Sequence, residues 1–359
     1  MRTRRYFLIA GLLLLVPLGL VCGPVARVAA EQLPGQLSDE EFWKLSSESS
    51  EPDGTFRSDN LLSNESYFQF VIPKLNEIAT PGRVYMGVGP EQNFTYIAAL
   101  KPRMAFIIDV RRGNLDLQLM YKALFELSKD RTDFVSRLFS RSRPEGLGPQ
   151  STVREIFTAV NKMAASDSLY EENFKAIREH LTKTHHFLLS DKDLEGVQYV
   201  YRNFHRFGPN INYGSSGNGG FGGVSYADLM TATDAQGVPR SYLANEENFE
   251  FLKSLESKNL VVPVVGNFAG PKAIRAVGKY VKENGGKISA FYLSNVEQFL
   301  QQDGIWDNFC RSVATLPLDG SSTFIRSVRG GQYGFGSGLN SDLGNMASDA
   351  SHCAPERPQ

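Results

Sequence analysis

The chain is 359 residues long, with 38 basic against 39 acidic side chains and 42% hydrophobic residues. That length is enough for one large domain or two modest ones with a sizeable core, and the charge balance leaves no electrostatic footprint for nucleic acid or an anionic membrane surface. A small molecule or a protein is the expected partner. Of three cysteines, Cys22 lies near the amino end, Cys310 in the last third and Cys353 in a polar tail, so no disulfide framework is expected.

Residues 1–30 read as a targeting segment rather than as part of the fold. Thr3 to Leu8, with Arg4-Arg5, matches the twin-arginine export pattern; an apolar run from Ile9 to Val21 follows, and Val28-Ala29-Ala30 supplies a small-residue cleavage site. The apolar run is broken by Pro17 and is shorter than the roughly 20 residues that span a bilayer. The mature protein is therefore expected to be exported, periplasmic or extracellular, without a stable membrane span. Anchoring by an uncleaved signal or a lipidated Cys22 is the alternative, and Val21 before that cysteine disfavours lipidation. Low cysteine content suits this route, in which the chain folds in a reducing cytoplasm before crossing.

Residues 31–60 are mostly Ser, Glu, Asp, Gly and Pro and predict a flexible linker, in which Phe42-Trp43-Leu45 either docks as an amphipathic turn or stays loose. Folded structure is expected from Leu61, where apolar residues through Leu75 recur at helical spacing until Pro81-Gly82.

The next thirty residues form the most recognisable unit. Val84 to Val88 predicts a strand ending at the glycine turn Gly87-x-Gly89, and Pro90 suits the first turn of a following helix. Phe94, Ile97 and Ala98 give that helix its core stripe, Lys101-Pro102 ends it, and Met104 to Ile108 predicts a second strand closing on Asp109. One β-α-β crossover thus separates Gly89 from a carboxylate, the separation at which an acid returns beside a glycine turn to accept hydrogen bonds from ribose hydroxyls.

These residues resemble the opening half of the class I S-adenosylmethionine-dependent methyltransferase fold, and the whole chain resembles a bacterial protein group of that fold without assigned activity. Gly87 and Gly89 match the first two glycines of the motif and Asp109 its ribose-binding acid. Tyr85 replaces the first acidic residue and Glu91 the third glycine, which would bring a carboxylate toward the ligand's own. The resemblance implies a Rossmann-like, mostly parallel doubly wound α/β sheet, S-adenosylmethionine as a possible cofactor, and a helix near residue 61 that covers the cofactor pocket. A plain packing helix explains the same pattern.

After Arg111-Arg112-Gly113-Asn114, a helix striped with Leu115, Leu119, Ala123 and Leu127 leads into a helical block at about 130–207, read as an insertion over one end of the sheet. His180, His185 and His186 lie in it at spacings of five and six, which on an α-helix do not share a face as an i, i+4 zinc pair does. Packing or surface roles are expected, and no metal.

Residues 214–223, GSSGNGGFGG, predict a mobile loop, and they lack the Gly-Lys-Ser/Thr ending of a phosphate cradle. Asn245 can cap a helix opening with Glu246-Glu247, and Leu260 to Val265 predicts a buried strand. Gly266-Asn267 begins another strand-to-helix turn. Lys287 to Leu293 is a further strand, Ser294-Asn295-Val296-Glu297 has the pattern of a capping box, and Thr323 to Val328 is the expected last strand. The single domain is thus expected over 61–329, with a disordered tail at 330–359.

If the strands are parallel, their carboxyl-end turns open along one edge, where open α/β sheets bind ligands. Gly87, Gly89, Glu91, Asn93, Asp109, Arg111, Gly266, Asn267, Ser294 and Asn295 then converge in one crevice, with helix amino ends offering free N–H groups to an anion. Tight-turn geometry alone also explains the glycines, and Asp109 could instead cap its own turn. Three functions follow: a transferase binding S-adenosylmethionine or another nucleoside, a non-catalytic binding or scaffold protein on the same fold, and, weakest, an exported hydrolase. The hydrolase lacks a Gly-x-Ser-x-Gly elbow and metal-spaced histidines. No residue is assigned as catalytic.

Overall fold

A computed structural model describes residues 32–215, 223–335 and 339–353. The targeting segment and most of the loop expected at 214–223 lie outside the described residues.

In chain order the elements are α1 (Asp39–Ser49), a 3-10 turn at Phe68–Val71, α2 (Ile72–Ile78), β1 (Val84–Val88), α3 (Gln92–Leu100) and β2 (Met104–Asp109). Between β2 and the next strand stand α4 (Arg112–Leu127), α5 (Arg131–Leu138), α6 (Val153–Lys162), α7 (Asp167–Glu179), α8 (Asp191–Phe207), α9 (Tyr226–Thr231) and α10 (Glu246–Ser257). Then come β3 (Val261–Val265), α11 (Ala273–Glu283), β4 (Ile288–Ser294), α12 (Val296–Gln302), α13 (Trp306–Val313), β5 (Thr323–Arg329), β6 (Leu339–Asn345) and α14 (Met346–Ser351). The expected helical block is present as α5 to α8.

The strands form one six-stranded sheet in the order β3-β2-β1-β4-β5-β6. The first five are parallel and β6 runs antiparallel to β5. Every residue of β2 and β3 is buried, as continuous apolar runs such as MAFII and VVPVV require when helices cover both faces of a parallel sheet. This is a mostly parallel, Rossmann-like α/β sheet.

Residues 32–60 are not a loose linker. Ser38 and Glu41 close a capping box that starts α1, and Phe42 is fully buried, stacked on Phe187 with ring centroids 5.1 Å apart. The helix lies along the edge strand β3, whose Pro263 has no N–H to donate and so suits an edge. Ser46 Oγ donates to Pro263 O at 2.6 Å, Val265 N donates to Ser50 Oγ at 3.0 Å, and Glu51 N donates to Val265 O at 2.8 Å. The segment thereby satisfies backbone groups that an open edge would expose.

The described part of the carboxyl tail is structured as well. β6 pairs along all of β5, α14 follows, and a Cys310–Cys353 disulfide ties the chain just after α14 to α13 across 43 residues. The sequence LNSDLGN reads as polar because β6 is an edge strand, half exposed, where polar side chains are tolerated. The expected capping box before α12 does not form: Asn295 is the N-cap residue and makes no side-chain cap. Glu297 instead accepts hydrogen bonds from Arg326 and Trp306, and Ser294 Oγ turns to Glu65.

One local winding overturns the histidine spacing expected above. Residues His180–Thr184 form a π turn, in which His185 N donates to His180 O at 3.0 Å. In i→i+5 winding, residues five apart lie one above the other, so both imidazoles reach the same carboxylate, Glu126.

Candidate functional site

The chain leaves β1 toward β2 on one side, while β4 flanks β1 on the other, so β1 and β4 define the topological switch point of the sheet. A cavity of about 260 Å³ opens there. Its floor includes Gly89, Asp109, Tyr292 and Ser294 from the strand ends, and its walls come from the Thr55–Glu65 stretch and from Phe299 on α12. The volume is near the lower end of the range for small-ligand pockets, roughly 300 to 1,000 Å³.

Five of the ten expected residues line this cavity: Gly89, Asp109, Asn267, Ser294 and Asn295. Gly89 has φ +76, a conformation that side chains with a Cβ rarely adopt, and a Cβ placed there would lie 4.0 Å from Asp109 Oδ2. Asp109 is almost fully buried. Its Oδ1 accepts the Arg111 backbone N–H at 2.9 Å and lies 3.5 Å from Arg111 Nε, while Oδ2 has no hydrogen bond among the described residues. Burial pushes this carboxyl above its ordinary value, and the Arg111 charge and N–H partly offset that. Asp109 therefore caps its own turn with one oxygen and presents the other toward Gly89.

The other five serve the scaffold. A Cβ on Gly87 would come within 1.8 Å of Asn93 Oδ1, so Gly87 makes room for a neighbour rather than for a ligand. Asn93 is fully buried and committed: its amide donates to the carbonyls of Val88 and Pro90, and its Oδ1 accepts from Tyr85 OH at 2.9 Å. This pairing also gives Tyr85 an internal role. Glu91 points into the interior, not toward the ligand edge; Oε1 accepts from Ser63 N at 3.2 Å, Oε2 has no hydrogen bond among the described residues, and burial pushes its carboxyl to about 8. Arg111 does not line the cavity: its Nε lies 3.5 Å from Asp109 Oδ1, and its Nε and Nη2 are buried with no hydrogen bond among the described residues. A Cβ on Gly266 would meet Ala273 Cβ at 2.2 Å, so this glycine lets α11 approach β3.

Two of the helix amino ends expected to attract an anion are already capped by carboxylates from the segment that follows α1. Glu51 accepts from the backbone N–H groups of Lys272 and Ala273 at the start of α11 and of Asn267 in the turn before it. Asp53 accepts from Arg112 N at 2.8 Å at the start of α4. Both are the charge that a helix amino end favours, and they occupy the places a phosphate would take.

Glu65 is one of the lining residues that sequence reasoning missed. It is buried, and its Oε1 accepts from Tyr292 OH at 2.8 Å and Ser294 Oγ at 2.6 Å. Oε2 accepts from Gln92 Nε2 at 3.0 Å. Its partners on β4 are more than 220 residues away in the chain, and no local pattern around LLSNES announces them. Nearby, Arg57 lies over the Phe299 ring at 5.1 Å, with Phe56 edge-on to the same ring. Glu65, Asp109 and Asp303 against Arg57 make the lining acidic.

The profile of one protein family, described as a domain of unknown function (DUF7790), matches residues 61–348. The chain belongs to this family. Its matched region holds the whole sheet, β1 to β6, and with it Glu65, Gly89, Asp109 and Ser294. α1 and the Glu51 and Asp53 caps precede the DUF7790 match. No curated protein matches the sequence.

Proposed function

We propose that this protein is an exported small-molecule binder of methyltransferase-like fold, whose switch-point cavity takes S-adenosylmethionine or a related cationic nucleoside. The observation that carries this reading is Asp109: a buried carboxylate one crossover after Gly89, with Oδ2 free to accept hydrogen bonds from a ribose. The sheet order with an antiparallel strand beside β5 supports the same fold relationship. Two further features narrow the ligand. The lining is acidic and the neighbouring helix ends are capped by Glu51 and Asp53, so a diphosphate would meet carboxylates where it needs N–H groups. A nucleoside carrying ammonium and sulfonium charges meets complementary ones. A cavity of about 260 Å³ also favours a single nucleoside over a dinucleotide.

Binding without methyl transfer is the second reading, because no histidine, cysteine or lysine lines the cavity among the described residues, and Glu65 is held by three donors. The export assignment rests on the twin-arginine pattern, and the Cys310–Cys353 disulfide supports an oxidising compartment. Calorimetric titration with S-adenosylmethionine, S-adenosylhomocysteine and NAD tests the ligand class. Heat with either of the first two and none with NAD is expected; no heat with any of them removes the nucleoside reading.

A further inference from the structure

At the far end of α4 from the crevice, three side chains from two separate chain segments meet at one point. Glu126 stands in the last turn of α4, and His180 and His185 come from the π turn that follows α7. Both Nε2 atoms lie against the same oxygen, Glu126 Oε2, that of His185 at 2.7 Å. The three ligating atoms lie within 4.8 Å of one another. Along α4, at about 1.5 Å per residue, the cluster is about 20 Å from the crevice, so it belongs to neither the cavity nor its caps.

The surroundings complete the arrangement of a metal-binding imidazole. His185 Nδ1 is 2.6 Å from Asp39 Oδ1, and Asn259 Nδ2 holds that same oxygen at 2.8 Å. A carboxylate on Nδ1 fixes the ring orientation and leaves Nε2 as the ligating atom, the arrangement that commonly backs a metal-bound histidine. Glu126 is oriented too, since Lys122 Nζ donates to its second oxygen at 2.7 Å. Phe187 stacks on the His185 ring at 4.9 Å and closes one side.

The π turn makes the convergence possible, and such turns occur frequently at functional sites.

We propose that Glu126, His180 and His185 form a binding site for a divalent transition-metal ion of the zinc type, with solvent completing its coordination. Two imidazoles and one carboxylate are a borderline donor set that suits zinc and excludes a preference for calcium or magnesium. The site joins α4, the π turn and, through Asp39, the amino-terminal helix α1, so the ion ties the helical block to the segment that covers β3.

The test uses the full mature chain, stripped with chelator and dialysed. Zinc retained after re-addition is counted by plasma mass spectrometry, and cobalt(II) is used as a spectroscopic probe. One equivalent of zinc and visible d–d bands of a low-coordinate N/O site are expected from the unmutated protein. Asp39→Asn should keep the stoichiometry and weaken affinity about 10 to 100 fold, the usual effect of losing such a backing group. His180→Ala with His185→Ala should abolish both signals. An unmutated, folded protein that retains no zinc and gives no cobalt bands at micromolar free ion overturns the proposal, whatever the variants do. Unchanged affinity in a folded double variant overturns it as well, by placing the ion elsewhere.

Discussion

Glu91 offers a direct measurement of how the interior sets the pH dependence of stability. Its side chain is fully buried, with one oxygen on Ser63 N and the other without a hydrogen bond among the described residues, and burial pushes its carboxyl from the ordinary 4.5 to about 8. The native state therefore keeps this acid neutral while the unfolded chain ionises it. Stability from this residue is intact below pH about 4.5 and is lost as pH rises toward 8, at about 1.4 kcal/mol per pH unit, or about 3 kcal/mol by pH 7. Glu91→Gln removes the titration and keeps a carbonyl for Ser63. The variant should be no more stable than the parent at pH 4.5 and more stable by about 3 kcal/mol at pH 7. Urea denaturation followed by circular dichroism at pH 4.5, 6, 7 and 8 measures this. A difference between the two proteins that stays within about 0.5 kcal/mol across that range would refute the reasoning, since it is what a neutral substitution gives. Asp116 behaves alike: burial, then the nearby Asp193 charge, push its carboxyl from 3.8 to about 8, so the parent protein should lose further stability as pH rises from about 4 toward 8.

Asp109→Ala should weaken nucleoside binding about 10 to 150 fold, because hydrogen bonds to a charged group are worth roughly 1.5 to 3 kcal/mol; Asp109→Asn should weaken it less, and equal affinity in all three proteins places the sugar elsewhere. Glu51→Ala uncaps α11, where the carboxylate serves three backbone N–H groups, and should cost about 2 kcal/mol in thermal or urea unfolding. In the same variant, phosphate should raise the melting temperature where it does not in the parent, since the vacated amino end accepts an anion. Cys353→Ser should lower stability by up to about 4 kcal/mol, the loop-closure entropy of a cross-link spanning 43 residues. It should also expose the chain after Asn345 to rapid limited proteolysis, whereas an unchanged cleavage pattern would mean that β6 holds the tail without the disulfide.

The sequence by itself determined what short-range physics governs. Apolar runs bounded by turn residues located β1, β2 and β3 within a residue, because a strand buried on both faces needs an unbroken apolar stretch, and the more mixed β4 and β5 were located as closely. Asn245 was legible as the cap of α10, since its oxygen reaches Asn248 N three residues away. Asp109 was legible as a crevice residue because one crossover has a nearly fixed length. What the tertiary structure decided lies where partners are far apart in the chain. Residues 32–60 look like a linker until Phe42 finds Phe187 and Ser46 finds Pro263, and Glu51 and Asp53 look like solvent charges until α11 and α4 arrive beside them. Ser294 and Glu297 satisfy a local capping pattern, yet stronger charged partners, Glu65 and Arg326, take both side chains. His180 and His185 share a face only because one turn winds as a π helix. Local hydrogen bonds and periodicity are written into neighbouring residues, whereas the pairing of a buried carboxylate depends on which distant donor the fold delivers, and no window of sequence contains that choice.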